Sequence, residues 1–577
     1  MFLIPASKLT VVWMLFTILA LIDRHNRLIN VKIANNLPKN HSHYDFIVVG
    51  AGTAGCIVAC RLANETAGRV LLLEAGGTQH SLNTSFPALL DSYILESSVY
   101  WRVRNKFSNS FIGSGKLFGG SHSLNGMFYI RGSRNIYDSI YNKTGARGWA
   151  YDEVLPHYIS NEFNTDPVLK DMYHGSSGPL GVTTQLHILP LFVAIEQALK
   201  SWGNQVVDVN GASDEGIARL QRTIRNGRRE TTAAAYILND NSRCPTLSIM
   251  TNSLVTKLLI QSSAKQQPNV YGIEFIKSDN SSAYRVYADN EIIISAGSLN
   301  TPKLLQLSGI GNAQLMTRLG IRPVWSDIPV GHNFMCHVST FLGFSLKSES
   351  PIDNVTINHF YRALYGRTGP MTHSNALVLR LRLPSISSTD KDYDNNETID
   401  YFVQIEFILS NYAGNQKLLC ITITDLGDTT KGTLTIQSTD VREPPVAYYP
   451  YKTRDNRALL AAVQYVLKFV SSTSLSDFVH PIPADMDDCK PYITGPLWQC
   501  FEYHKCLIEK STFLGHPIGT SPMGASDSAD TVVDERLRVK GVTGLRVVDA
   551  SIYPNHINGN TMAAAILAGE KGAHMIN

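Results

Sequence analysis

The feature that most constrains this chain is a glycine-spaced turn, Gly50-Ala51-Gly52-Thr53-Ala54-Gly55, set between two apolar runs. The run before it, Tyr44-Asp45-Phe46-Ile47-Val48-Val49, is short and continuous, as a strand buried on both faces should be. Residues 51–63 read as a helix, and Arg69-Val70-Leu71-Leu72-Leu73-Glu74 reads as a second buried strand ending in an acid. Strand, glycine turn, helix and strand make a βαβ unit. Its three glycines permit a tight turn, close approach of a pyrophosphate, and close helix–strand packing. Glu74 follows Gly55 by about twenty residues, the distance at which an acid accepts hydrogen bonds from a ribose. A plain glycine-rich turn would not need those flanking strands or that acid.

The far end of the chain carries a second constellation. Gly515-His516-Pro517-Ile518-Gly519-Thr520 is followed by the short strand-like block Leu545-Arg546-Val547-Val548-Asp549-Ala550-Ser551 and then by Asn560. A base candidate beside a second short strand suggests that both ends fold back onto one cofactor, as in a redox enzyme. A chain of 577 residues is too long for one core and should form two lobes. The net charge of +3 and the absence of like-charge blocks argue against a nucleic-acid partner. The eight cysteines show no paired metal-ligand spacing, so no metal is expected. Cys56 and Cys60 read as packed inside the first helix. Cys489, Cys500 and Cys506 cluster in a loop-rich stretch, where a Cys489–Cys500 disulfide is expected with Cys506 as the competing partner.

Residues 1–24 read as a signal peptide or signal anchor, because Lys8 precedes the apolar run Leu9 to Ile22. That run is shorter than the ~20 residues a membrane span normally needs, but the cleavage site is poor. The chain is expected to be secreted, and membrane contact arises only if the segment stays uncleaved. Sequons at Asn83, Asn142, Asn280, Asn354 and Asn396 are compatible with a secreted glycoprotein, while Asn64 sits near a helix end where glycan access is doubtful.

Between the two ends, strands are expected at Leu247–Met250, Val255–Gln261, Val270–Ile276, Tyr284–Ala288 and Glu291–Ser295, followed by a helix over Thr301–Leu307. Residues 340–510 mix alternating segments such as Gly432–Gln437 with a helix near Arg457–Ser471 and carry no nucleotide signature. Segments 43–150, 240–335 and 515–577 are assigned to a nucleotide-binding domain, and 151–239 with 336–514 to a substrate-binding domain.

Two further blocks join the fingerprint and the C-terminal constellation. One is Gly115-Lys116-Leu117-Phe118-Gly119-Gly120-Ser121-His122-Ser123-Leu124-Asn125-Gly126-Met127; the other is Gly297-Ser298-Leu299-Asn300-Thr301-Pro302, running on to Ser308-Gly309-Ile310-Gly311. In this order the four resemble the glucose-methanol-choline (GMC) oxidoreductase family, FAD-dependent alcohol oxidases and dehydrogenases, in the style of its secreted insect members. The resemblance spans about residues 43–577. It implies an α/β fold: a doubly wound, Rossmann-like FAD-binding domain assembled from separated segments, with an α+β substrate domain built on an antiparallel sheet.

The resemblance also implies roles. His516 would be the base that removes the hydroxyl proton while hydride passes to flavin N5, a task suited to a neutral imidazole. Asn560 would be its partner and hold the substrate oxygen. Gly50, Gly52, Gly55 and Glu74 would bind the dinucleotide. Gly119, Gly120 and Asn125 would approach the isoalloxazine, Asp549 and Ala550 the ribityl-phosphate region, and Val255 the adenine. Leu124 stands where covalently flavinylated members carry His, so FAD is expected to be non-covalent. The substrate is a small-molecule alcohol, and the electron acceptor is oxygen or a quinone-like compound. His337 is assigned to a structural turn, and Gly119-Gly120-Ser121-His122-Ser123 lacks the last glycine of a hydrolase elbow.

The chain departs from the family at Phe118, at His122, at Cys336, where an Asp is usual, and at Tyr100, where insect relatives usually carry an acid; Arg104-Asn105-Lys106-Phe107 is also unusual. The bulkier loop that Phe118 and His122 make is expected either to narrow the site or to alter the substrate. Two alternatives remain open: a flavoprotein acting on a sterol or isoprenoid alcohol, including isomerisation through a carbonyl, and a catalytically faded secreted binding paralogue.

Overall fold

A computed structural model describes residues 39–576 apart from 79–81, 90–96, 108–110, 170–171, 185–188, 219, 240–243, 264, 279, 327, 352–356, 373–375, 385–400, 413–415, 451–455, 485 and 512. The signal segment and the sequons at Asn354 and Asn396 lie outside the described residues. Asn64 and Asn142 are both exposed. No helix among the described residues is long and apolar enough to cross a membrane.

The first sheet has seven strands. Leu247–Met250, Val70–Leu73, Ser42–Val49 and Asn280–Ile294 lie side by side in parallel, and Leu545–Val547 joins the last of these, also in parallel. Gln266–Lys277 and Ser253–Ser263 extend it as antiparallel neighbours. The fully buried runs Ile47-Val48, Val70-Leu71-Leu72 and Ile292-Ile293-Ile294 are central strands covered on both faces, by Thr53–Glu65 and Met562–Ile576 among others. Sequence reading split Asn280–Ile294 into two strands at Asp289-Asn290. The structure keeps one strand, and those two residues form a bulge, because Tyr44 pairs with Ala288 while Phe46 pairs with Glu291.

The second sheet has eight strands, in the order Val479–Ile482, Met335–Leu346, Gln416–Asp425, Tyr401–Tyr412, Ala376–Leu383, Gly216–Ala218 and Val206–Val207, with Phe513–Ile518 also on Met335–Leu346. All its pairings are antiparallel except the last, between Val206–Val207 and Gly216–Ala218. Strand periodicity decides its two faces. Val403, Ile405 and Phe407, with Leu419, Ile421 and Ile423, face the helix Arg457–Ser471. The alternate positions Gln404, Glu406, Ser339 and Thr424 form a buried polar face on the other side. Phe513–Ile518 leaves this sheet and leads toward Leu545–Val547 of the first, so the C-terminal stretch ties the two together.

Two disulfides are present. Cys489 pairs with Cys506, not with Cys500, because Cys506 projects from the helix Phe501–Ser511 toward Cys489 while the Cys500 thiol turns to the carbonyls of Gly495 and Pro496. Cys60 does more than pack: it is bonded to Cys244, 184 residues away.

Candidate active site

A cavity of about 360 Å³ opens where the first sheet's strand ends meet the second sheet. Its wall includes Gly50, Gly52, Glu74, Gly120, Asn125, Val255, Asp549, Ala550, His516 and Asn560, so ten of the twelve residues singled out in the sequence converge on one space. Gly55 and Gly119 stand behind the wall. A Cβ on Gly55 would lie 1.9 Å from the Gly50 carbonyl oxygen, so this glycine is there for helix–strand contact. Gly120 has φ +56° and a Cβ there would lie 2.7 Å from Gly52 Cα, so the two loops can meet only with glycine at 120. A Cβ on Gly52, by contrast, would meet nothing of the protein nearer than 4.0 Å and would project into open space. That is a cradle shaped for a ligand.

Glu74 is held for its role by backbone donors: Ala51 N–H to Oε2 at 3.0 Å and Gly76 N–H to Oε1 at 2.8 Å. Burial nevertheless pushes its carboxyl up to about 7. On the C-terminal side Asp549 accepts from Gly297 N–H (2.8 Å), Thr301 Oγ1 (2.5 Å) and Ser551 N–H (2.8 Å). It therefore anchors the start of the helix Gly297–Leu307, which begins four residues earlier than the sequence suggested. Pro302 sits inside this helix and has no N–H, so the Ser298 carbonyl four residues back lacks its helical donor. Thr520 supplies one instead, its hydroxyl donating to that carbonyl at 2.8 Å. Next to it, Ser298 Oγ is buried on the cavity wall with no partner among the described residues. An open glycine cradle, an unpartnered hydroxyl at a helix start and an acid two strands' width apart fit a dinucleotide such as FAD.

On the side of the cavity formed by the second sheet, His516 owes its position to a bulge. Met335 pairs with Ile518 but His337 pairs with Gly515, so His516 and Pro517 together oppose Cys336. His516 takes φ +59°, a strained conformation for a non-glycine residue that aims its ring into the cavity. Asn560 Nδ2 lies 3.1 Å from His516 Nε2, and His337 Nδ1 lies 3.0 Å from His516 Nδ1. Gln404 Nε2 donates to Asn560 Oδ1 at 3.4 Å, which turns the amide N–H toward His516. The network thus assigns His516 a lone pair at Nε2 and a proton at Nδ1 that it donates to His337. Burial, and then His556, lower His516 to about 4, so its imidazole is neutral at physiological pH. His556 stacks on His337 with ring centroids 3.7 Å apart.

Sequence reading placed His337 in a structural turn. It lies on the strand Met335–Leu346 and touches the base candidate. It also missed His556, Gln404 and Arg229. A register argument on the alternating strand Tyr401–Tyr412 could have found Gln404; the others are brought in by tertiary pairing. Phe118 and His122 do not narrow the cavity, since neither lines it. His122 is fully buried, accepting from Thr232 N–H at Nδ1 (3.2 Å) and facing Thr223 Oγ1 from Nε2 (2.9 Å). The unusual stretch after Tyr100 forms an ordered strand, Tyr100–Asn105, whose Asn105 is pinned to the Tyr449 backbone.

A nucleotide cradle on a mostly parallel sheet and a His–Asn pair backed by an antiparallel sheet define a two-lobed flavin-type oxidoreductase. The GMC oxidoreductase profiles match residues 44–339 and 428–569, and the chain belongs to that family. It is 30% identical to a glucose dehydrogenase [FAD, quinone] of Drosophila melanogaster, covering 92% of this chain and 86% of that protein. It is 31% identical to an oxygen-dependent choline dehydrogenase of Escherichia coli O157:H7, covering 92% and 94%. Formate oxidase shares the fold with a TM-score of 0.80 at 22% identity, over 93% of this chain and 99% of that one. Pyridoxine 4-oxidase from Mesorbium loti gives 0.74 at 24%, over 92% and 98%. The protein is an FAD-dependent oxidoreductase acting on alcohol-type donors.

Proposed function

We propose that this chain oxidises the CH–OH group of a small-molecule alcohol, with His516 taking the hydroxyl proton at Nε2 and Asn560 orienting the substrate oxygen. Bound FAD supplies the electron sink for the hydride. The observation that carries the reading is the His516–Asn560 pair, 3.1 Å apart on the wall of the cavity that also contains the glycine cradle. The ring is neutral before reaction, and its Nδ1–H bond to His337 strengthens as the ring gains positive charge. Gly50, Gly52, Gly120, Glu74, Ser298 and the Val255 backbone would hold the dinucleotide. Leu124 lines the same cavity and offers no nucleophile, which supports a non-covalent cofactor. Two disulfides support an oxidising compartment and hence passage of the chain through the secretory route.

The test is anaerobic titration of the yellow holoprotein with a panel of alcohols, sugars and sterols included, followed by reoxidation with oxygen or a quinone. Bleaching by an alcohol supports the reading, and the reoxidant identifies the acceptor. Flavin that no alcohol bleaches would point to the binding paralogue instead. Acid precipitation tests attachment, because a non-covalent cofactor stays in the supernatant.

A further inference from the structure

Behind the loop Gly119–Asn125 lies a buried cation that the proton-transfer reading does not use. Arg229 ends the hairpin strand Arg228–Arg229 and is 9% exposed. Its Nε donates to the Thr84 carbonyl at 2.9 Å. Its Nη1 donates to the carbonyls of His122 (3.1 Å) and Asn125 (2.6 Å) and to Asn125 Oδ1 (3.1 Å). All four acceptors are uncharged, and among the described residues no carboxylate bonds to it. Two ionisable groups face it: His122, buried and neutral, and Tyr100, whose ring is on the cavity wall. Burial pushes the guanidinium down to about 9 and the Tyr100 phenol up, so at neutral pH the first is charged and the second is not. Neutral oxygens offset only part of what a buried charge loses in leaving water. The charge is therefore available to whatever occupies the cavity beside Asn125.

We propose that Arg229, faced by the neutral Tyr100 and clamped to both oxygens of Asn125, raises the reduction potential of the bound flavin and fixes the loop beside it. In the oxidation, the carbon–hydrogen bond breaks and its electron pair moves with the hydride to flavin N5, while the hydroxyl proton goes to His516. The ring gains one negative charge. A cation held across a low-dielectric wall favours that charge and so favours the reduced state. Arg229 is a positioning residue, since it acts through Asn125 and through its field. Tyr100 is neutral, so it leaves the positive charge of Arg229 uncancelled. The inference rests on FAD occupying the cavity, not on which alcohol is oxidised.

The test compares holoprotein carrying Arg229→Met, Arg229→Lys and Tyr100→Asp with wild type. Two readouts are used: the two-electron midpoint potential by dye equilibration, and affinity for sulfite, which adds through sulfur to N5 and leaves negative charge on the ring. Arg229→Met is expected to lower the reduction equilibrium constant at least tenfold, about 30 mV for a two-electron couple. It should weaken sulfite binding by a similar factor, and Arg229→Lys should retain most of both. Tyr100→Asp keeps every Arg229 hydrogen bond and should shift both readouts in the same direction. If Arg229→Met fails to load FAD, Tyr100→Asp decides. Potentials and sulfite affinities within twofold of wild type in the loaded variants would overturn the inference. A flavin whose potential shifts as expected but which no alcohol bleaches would keep the inference and defeat the proposed reaction.

Discussion

Replacing His337 by leucine removes the Nδ1 acceptor 3.0 Å from His516 Nδ1 while keeping a buried side chain of similar volume on the strand Met335–Leu346. Before reaction the bond joins two neutral rings, and such a bond contributes about 0.5–1.5 kcal/mol. As His516 takes the proton the donor becomes cationic, and bonds to charged groups contribute about 1.5–3 kcal/mol. The difference, about 1 kcal/mol, is realised only as charge develops and so lowers the barrier. At 1.36 kcal/mol per tenfold, its loss should slow flavin reduction about fivefold. Freedom of the His516 ring to adopt the other tautomer should add to this, giving about 5- to 30-fold in all. The assay is anaerobic stopped-flow reduction of the flavin by an alcohol that bleaches the wild type, with FAD content measured alongside. The reduction rate at saturating alcohol should fall while alcohol affinity changes little. A variant that retains FAD and reduces at the wild-type rate would show that His337 neither orients nor supports the base.

Four further outcomes are expected. His516→Ala should slow flavin reduction by about 10²- to 10⁴-fold with FAD still bound, and Asn560→Ala should act in the same direction more weakly, both read by stopped flow. The oxidation rate should be level from neutral pH down toward about 4 and fall below it, because His516 is neutral above that value and protonated under it, as a pH–rate profile would record. For stability, His516 and His556 are lowered to about 4, so what they contribute is present above the ordinary histidine range and lost as pH falls to 4; His174, raised to about 9 between Glu162 and Asp208, contributes below that range and loses it as pH rises through 9, so unfolding midpoints should drop on both sides. Non-reduced peptide maps should join Cys489 to Cys506, Cys500→Ser should leave that bridge intact, and Cys506→Ser should cost about 3 kcal/mol for a loop of this length.

What was legible in the sequence is what local pattern controls. The buried runs Phe46–Val49 and Val70–Leu73, the glycine spacing between them and the helix Arg457–Ser471 each follow from periodicity over a few neighbouring residues. Family resemblance then carried Asp549 and His516 to the cavity wall, although neither has a local signal for it. The rest was set by pairings across long stretches of chain. Cys60 meets Cys244 only because Thr53–Glu65 packs beside the segment leading into Leu247–Met250. His337 reads as a turn residue because Gly331-His332-Asn333 precedes it, yet antiparallel pairing with Gly515 makes it part of a strand. His122 looked like bulk added near a ligand; its Nδ1 accepts from the Thr232 N–H and its Nε2 donates to the Thr223 hydroxyl, so both nitrogens were already claimed.

The two sheets divide the work in a way that explains why one family can serve many alcohols. The first sheet and the segments that return to it supply the glycine cradle, Glu74 and Asp549, whose hydrogen bonds to backbone N–H groups and, for Asp549, to the Thr301 hydroxyl fix the loops around the cavity. The second sheet supplies His337, Gln404 and the strand that carries His516, and its polar face lies behind the His516–Asn560 pair. Gln404 bridges Asn560 to Glu406, whose carboxyl burial pushes up to about 7, so the polarity behind Asn560 is set by side chains with no part in the cradle. Exchanging residues on the face of Tyr401–Tyr412 alters what the pair meets and leaves the Gly50–Gly52–Gly120 contact untouched. His516, the proposed base, is held by the bulge within the second sheet, where Met335 pairs with Ile518 and His337 with Gly515 and where its φ is +59°.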